Sequence, residues 1–209
     1  MKKAFILVGV LALALGISYL VLHKGNADNA KAEEKDAPLA ISSKSSAFNR
    51  SVTGVMNSYY ALCDGFANTD SAQVSAAASH LNILVDSIRF DQFKADTAIV
   101  ETAINLAQSM KGDITGLIGE KTMEQKRREF NMITDQLYSL IRTVSYDGGI
   151  IYHIRCPSAF PDSTEAYWLS PTSKIINPYH TKNAAGPNDQ MQECGEVIDS
   201  LHFSGSLSE

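Results

Sequence analysis

Between Phe48 and Val144 the apolar residues recur at steps of three and four, and this spacing is the strongest constraint on the fold. A helix turns about every 3.6 residues, so the pattern lays an apolar stripe along one side of a helix and suits no strand. Phe48, Val52, Val55, Tyr59, Leu62 and Phe66 form the first stripe, and Gly65 and Asn68 weaken the helix near its end. A second helix opens at Asp70, where Asp70-Ser71-Ala72-Gln73 has the form of a capping box. Its inner face is Val74, Ala77, Ala78, Leu81, Leu84, Val85 and Ile88. A third runs from about Asp96, with Ile99, Ala103, Leu106, Met110, Ile114 and Leu117 inward and Gly116 and Gly119 bracketing its end. The fourth starts at a second capping box, Thr122-Met123-Glu124-Gln125, and carries Met123, Phe130, Ile133, Leu137, Ile141 and Val144. Lys126, Arg127, Arg128 and Glu129 lie between these apolar positions, and Gly148-Gly149 stops the run. Four amphipathic helices with short connections predict a mainly α fold, an antiparallel four-helix bundle over residues 47–147.

After Gly149 the texture changes. Ile150 to Ile154 is short and β-branched and predicts a strand. Pro157, Pro161, Pro171 and Pro178 follow among dense turn residues, so residues 148–203 read as one short strand and a loop-rich segment packed on the bundle. So irregular a stretch needs an organising device: a disulfide, a metal, or packing onto the helices.

The other end of the chain speaks to location. Lys2 and Lys3 precede an uncharged apolar run from Ala4 to Leu22, 19 residues (22 − 4 + 1). As a helix it would rise about 28 Å, close to the thickness of a bilayer's hydrocarbon core. The two lysines keep the N-terminus in the cytoplasm and send the rest across. Residues 1–22 are therefore expected to act as a signal anchor or signal peptide. The length of the run favours a retained single-pass anchor, while Ala30-Lys31-Ala32 offers a cleavage site. Residues 23–46 have no apolar period and read as a flexible linker. The expected location is the periplasm or cell envelope, with membrane contact through the N-terminal segment. A formal net charge of −5 argues against nucleic acid as a partner.

Enzyme signatures are missing. The sequence holds no G-x-S-x-G, no G-x-x-x-x-G-K and no H-E-x-x-H, and its acidic residues are spread over helix exteriors. The expectation is a non-enzymatic protein. His80 reads as a packed or boundary residue, and Cys63 as a small buried thiol. The tail differs, because His153 and Cys156 stand two residues apart, as do Met191 and Cys194, with His180 and His202 near in sequence. Thiolate, thioether and imidazole make up the soft donor set that selects Cu(I) or Ag(I). Cys156 and Cys194 also suit a structural disulfide in an oxidising compartment. Closing the 38 residues between them (194 − 156) would stabilise the fold by about 3.5–4 kcal/mol. Spacing leaves both possibilities open, together with alternation between them. Trp168, the only tryptophan, is expected to anchor the tail on the helices.

Several tail segments, taken in order, carry a resemblance. They are Tyr152 to Ala159, Ala166-Tyr167-Trp168-Leu169-Ser170, Ile176-Asn177-Pro178-Tyr179, and Met191-Gln192-Glu193-Cys194-Gly195. With Tyr59-Tyr60-Ala61-Leu62 upstream, the stretch from Val55 to Ser200 resembles a domain family of unknown function in exported bacterial proteins. The same domain is appended to periplasmic adaptor subunits of heavy-metal efflux pumps. The family tail has the form H-C-P-M-A, W-L-S, N-P-Y, M-x-x-C-G. The resemblance implies copper or silver handling, with Cys156, Met191, Cys194 and His153 as donors and a metal-efflux or metal-transfer protein of the envelope as partner. This chain departs from the pattern at Ser158, which replaces a methionine, and at His153, two residues further from the cysteine. It also carries a longer insertion through Asn183 to Asn188, and His180 stands where it could replace the lost donor.

Overall fold

The computed structural model describes residues 43–180 and 194–203. The apolar run from Ala4 to Leu22, the Ala30-Lys31-Ala32 site, the Asn183–Asn188 insertion and Met191 lie outside the described residues. Among the described residues no helix is long and apolar enough to cross a membrane.

The chain is mainly helical, with four helices and a small three-stranded antiparallel sheet. Helices α1 (Ser46–Ala67), α2 (Ser71–Asp86), α3 (Thr97–Gly119) and α4 (Met123–Thr143) fall where the apolar stripes lie. Each packs against the next in sequence. Phe48, Tyr59, Leu62, Phe66, Leu81, Met110, Ile114 and Phe130 are fully buried at their contacts. Before α1, strand β1 (Ser43–Lys44) pairs antiparallel with β2 (Phe93–Lys94), which follows a 3-10 turn at Phe90–Gln92.

The helix ends show why the elements stop where they do. Asp70 accepts hydrogen bonds from the N–H groups of Ala72 and Gln73, and Thr122 accepts one from Gln125 N–H, the N-cap half of each capping box. At the other ends, α1 and α4 close with the same pair of reversed bonds. Asp70 N–H reaches Gly65 O and Thr69 N–H reaches Phe66 O, while Tyr146 N–H reaches Ile141 O and Ser145 N–H reaches Arg142 O. The residue this turn forces into the left-handed region is Thr69 (φ 56°) in one case and Ser145 (φ 49°) in the other. Neither is a glycine, and each such placement costs about 1–2 kcal/mol. Gly148-Gly149 therefore does not end α4, which has closed at Val144.

The tail is more regular than its sequence indicates. Strand β3 (Ile151–Cys156) is the predicted strand, extended to the cysteine. It is flanked by β4 (Ala166–Ser170) and β5 (Glu196–Leu201), in the order β4-β3-β5. β4 escapes a period-two search because its pattern combines a buried tryptophan and leucine side by side, one toward each covered face. β5 escapes because five of its six residues are exposed, so no buried face is written into it.

Candidate functional site

The site foreseen in the tail is built on β3, whose pairing with β4 runs unbroken from Tyr152 opposite Ser170 to Cys156 opposite Ala166. Side chains alternate along such a strand, so Ile154 and Cys156 share one face and His153 occupies the other. The irregularity lies on β5, where Ile198 is the extra residue between Asp199, opposite His153, and Val197, opposite Ile154. Cys156 ends β3 and Cys194 stands just ahead of β5. The two form a disulfide with Cα atoms 5.3 Å apart. This bond locks the entry of β5 to the exit of β3 and leaves Cys156 fully buried.

His153 is buried and packs as a ring. It stacks on Tyr138 of α4 at a centroid distance of 4.1 Å and lies 5.2 Å from the Tyr167 ring. Its Nε2 is buried and has no hydrogen-bond partner among the described residues. Burial lowers its pKa; Asp199 opposes that shift and Arg142 adds to it. Tyr138 in turn donates its hydroxyl to Asp199 Oδ2 at 2.6 Å. His180 is buried elsewhere, and its carbonyl accepts a hydrogen bond from Arg127 Nη2 at 2.7 Å. The structure thus joins Cys156 to Cys194 and sets His153 on the opposite face of the sheet. Among the described residues no group of three His, Cys, Asp or Glu side chains converges as a metal-holding set.

The residues that carry the tail's sequence pattern hold it to the helices. Leu169 N–H donates to the Tyr59 hydroxyl at 3.1 Å, and Tyr167 N–H to Asn131 Oδ1 at 2.8 Å, so the outer edge of β4 is covered by α1 and α4. Tyr59 is itself fixed by Thr134 Oγ1 at 2.7 Å. In the Asn177-Pro178-Tyr179 segment, Asn177 Oδ1 accepts from Tyr179 N–H at 2.8 Å, and the Tyr179 hydroxyl donates to Tyr167 O at 2.6 Å. Gly195 lies so close to Trp168 that a Cβ there would sit 2.8 Å from the indole Cη2. The glycine after the second cysteine is thus required by Ile175, whose Cγ2 would lie 2.7 Å away, together with the tryptophan of β4.

Residues 55–148 match a family model described as "Protein of unknown function (DUF3347)". The match covers most of α1 and all of α2, α3 and α4, and it ends before the tail. No curated protein and no solved structure matches the chain. What connects this chain to a family of unknown function is therefore its helical part.

A soft metal would need the sulfurs as thiolates, and in the disulfide neither is available. Once reduced, Cys156 and Cys194 would present two thiolates at one point. Cys63, the remaining cysteine, lies partly buried on α1 with Sγ 3.9 Å from Leu169 O, and burial pushes its thiol pKa up. His80 is exposed, with Nδ1 3.2 Å from Ser58 Oγ.

Sequence inspection missed the basic residues of α4. Lys126 and Arg127 are buried, and each satisfies carbonyls at the end of another helix: Lys126 Nζ donates to Leu117 O at 2.8 Å, Arg127 Nη2 to Phe66 O at 3.2 Å. Lys44 likewise donates to Ser145 O beyond α4. Three cations thus meet the negative ends of three helices. A signal was present, because positions 126 and 127 fill the gap in the apolar stripe between Met123 and Phe130.

Proposed function

We propose that the chain is a non-enzymatic binding module of the cell envelope, an antiparallel four-helix bundle whose stapled tail offers the outer edge of β5 to an extended segment of a partner protein. The observation that carries this reading is the contrast between the two edges of the sheet. β4 is covered by side chains of α1 and α4, whereas β5 pairs only with β3 among the described residues. Val197 and Ile198 are 42% and 45% exposed on it. An uncovered edge strand with apolar side chains is a template for strand addition. The disulfide at Cys194 fixes the position of that edge in advance, which lowers the ordering cost of binding. Glu196 is paired with Arg155 of β3, so the charge this edge offers is that of Asp199, which favours a cationic side chain opposite it. The apolar run near the N-terminus supports an envelope location, and a disulfide is the bond such a compartment sustains.

A photo-crosslinking residue placed at Ile198 tests this in intact cells, with Ile83, an isoleucine 62% exposed on α2, as the control position. A discrete protein adduct at Ile198 that is lost on Val197→Lys, with none at Ile83, is the expected result. No adduct at Ile198, or the same adducts at both positions, would remove this reading.

The meeting of Cys156 and Cys194 supports a second function, binding or transfer of Cu(I) or Ag(I) by the reduced pair. Met191 would be a further donor and a metal-efflux or metal-transfer protein of the envelope the recipient, while His153, on the opposite face of the sheet, and His180, buried elsewhere, stand apart from the sulfurs. Mass spectrometry of the full chain, as isolated and after reduction with Cu(I) in anaerobic buffer, separates the two functions. A species lighter by two hydrogens that takes up no copper after reduction leaves the staple alone. One Cu(I) per chain, lost in Cys156→Ser, establishes metal binding.

A further inference from the structure

The α4 arginine that sequence inspection overlooked borders a cavity of about 330 Å³ between the start of α4 and the β3–β4 loop. Small-molecule sites begin at about this size. Met123, Ala159, Phe160, Pro161 and the ring of Tyr179 make its wall chiefly apolar, and Ser158 and Glu124 add polar groups. Arg127, which also lines it, is only 3% exposed.

Arg127 has no carboxylate partner among the described residues; it meets the carbonyl end of α1 and lies 5.8 Å from the centroid of the Phe66 ring. Its Nε donates to Pro178 O at 2.9 Å, and its Nη2 to Phe66 O at 3.2 Å and His180 O at 2.7 Å. All three acceptors are neutral carbonyls, and they account for one side of the guanidinium, leaving Nη1 without a hydrogen bond among the described residues. The nearby carboxylates are engaged elsewhere. Glu124 Oε1 lies 3.2 Å from Arg128, and Asp162 Oδ2 lies 3.0 Å from the same guanidinium, which stacks 4.3 Å above the Phe160 ring. One arginine thus serves two carboxylates while its neighbour in sequence has none. A buried cation without an anion carries a desolvation cost that an incoming anion would offset. Consistently, burial lowers the pKa of Arg127.

We propose that this cavity binds a small organic monocarboxylate, its charge at Arg127 and its apolar body against Phe160, Tyr179 and Met123. The single unpaired cation sets the ligand charge at minus one. The apolar wall selects an acid with a compact ring or short chain over a hydrophilic anion such as phosphate.

Fluorine NMR titration of the full chain in lipid nanodiscs, with para-trifluoromethylbenzoate as the probe and the neutral para-trifluoromethylbenzamide beside it, tests the proposal. The benzoate is expected to bind saturably, about 10- to 100-fold more tightly than the amide, as a charge-assisted hydrogen bond predicts. Met123→Trp, which fills the cavity from its α4 side, is expected to abolish binding, and circular dichroism shows whether that variant is folded. Arg127→Gln is expected to erase the preference for the acid; because Arg127 also holds Phe66, Pro178 and His180, the Met123 variant decides if the Arg127 variant unfolds. Failure of the benzoate to bind, equal binding of the amide, or unchanged binding in folded Met123→Trp would each overturn the proposal. None of these outcomes bears on the β5 edge, so the two readings stand or fall separately.

Discussion

The helices and the tail bury their apolar side chains by different means. In the helices one short stretch of sequence writes each element: an apolar stripe in all four and a side-chain cap on all but α3, within about twenty residues. In the tail no strand is stable alone. β3 needs β4 and β5, β5 needs the bond from Cys194 to Cys156, and β4 needs single side chains sent from α1 and α4. The helical part is thus a sum of local decisions, and the tail a set of long-range ones, each resting on one or two residues.

The sharpest way to break that comparison is to remove the anchor of the tail. Trp168→Ala should cost about 3–5 kcal/mol, measured by urea denaturation followed through the helical circular dichroism. If the helices hardly respond, the two regions fold independently and the tail is not part of their core. Removing the staple by Cys156→Ser with Cys194→Ser should cost about 3.5–4 kcal/mol in the same assay. There the comparison is sharpened if Trp168 fluorescence unfolds before the helical signal. Gly195→Ala forces a Cβ against the indole and should cost about 1–3 kcal/mol, with the disulfide still forming by mass spectrometry. In the helical part, Asp70→Ala removes one cap and should cost about 1 kcal/mol.

In the histidine range a pH dependence should mark the tail. Burial holds the folded pKa of His153 below the ordinary imidazole value of about 6.5. The unfolded chain therefore binds the proton more readily, so stability is fully present above that value and declines as pH falls below it. Urea denaturation at a series of pH values should show this decline, and His153→Phe should flatten it. An unchanged slope in that variant would assign the effect to other groups.

How much was legible follows the same division. The four helices and the caps at Asp70 and Thr122 could be read because period and capping are properties of neighbouring residues. The early close of α4 could not, because Ser145 takes a backbone conformation that glycine usually marks. The roles of Lys126 and Arg127 could not be read from their neighbours in sequence, since their acceptors Leu117 O and Phe66 O belong to other helices. In the tail, Cys156 and Cys194 could be named as partners from their type, but His153 could not be set on the far face without the register of β3. β5 carries almost no burial signal, and what makes it a strand is its neighbour.

The position of Cys63 bears on the order of events as the chain folds. Three cysteines allow three pairings, and the one made of the first two to be synthesised, Cys63 with Cys156, is not the one the structure holds. Local helical contacts form faster than strand pairings across long loops. Once α1 has settled against the core, its thiol is held protonated and therefore a poor nucleophile. By the time Cys194 arrives, Cys156 has one reactive partner left. The helices thereby act as a protecting group, in the synthetic chemist's sense, for the one bond on which the tail depends.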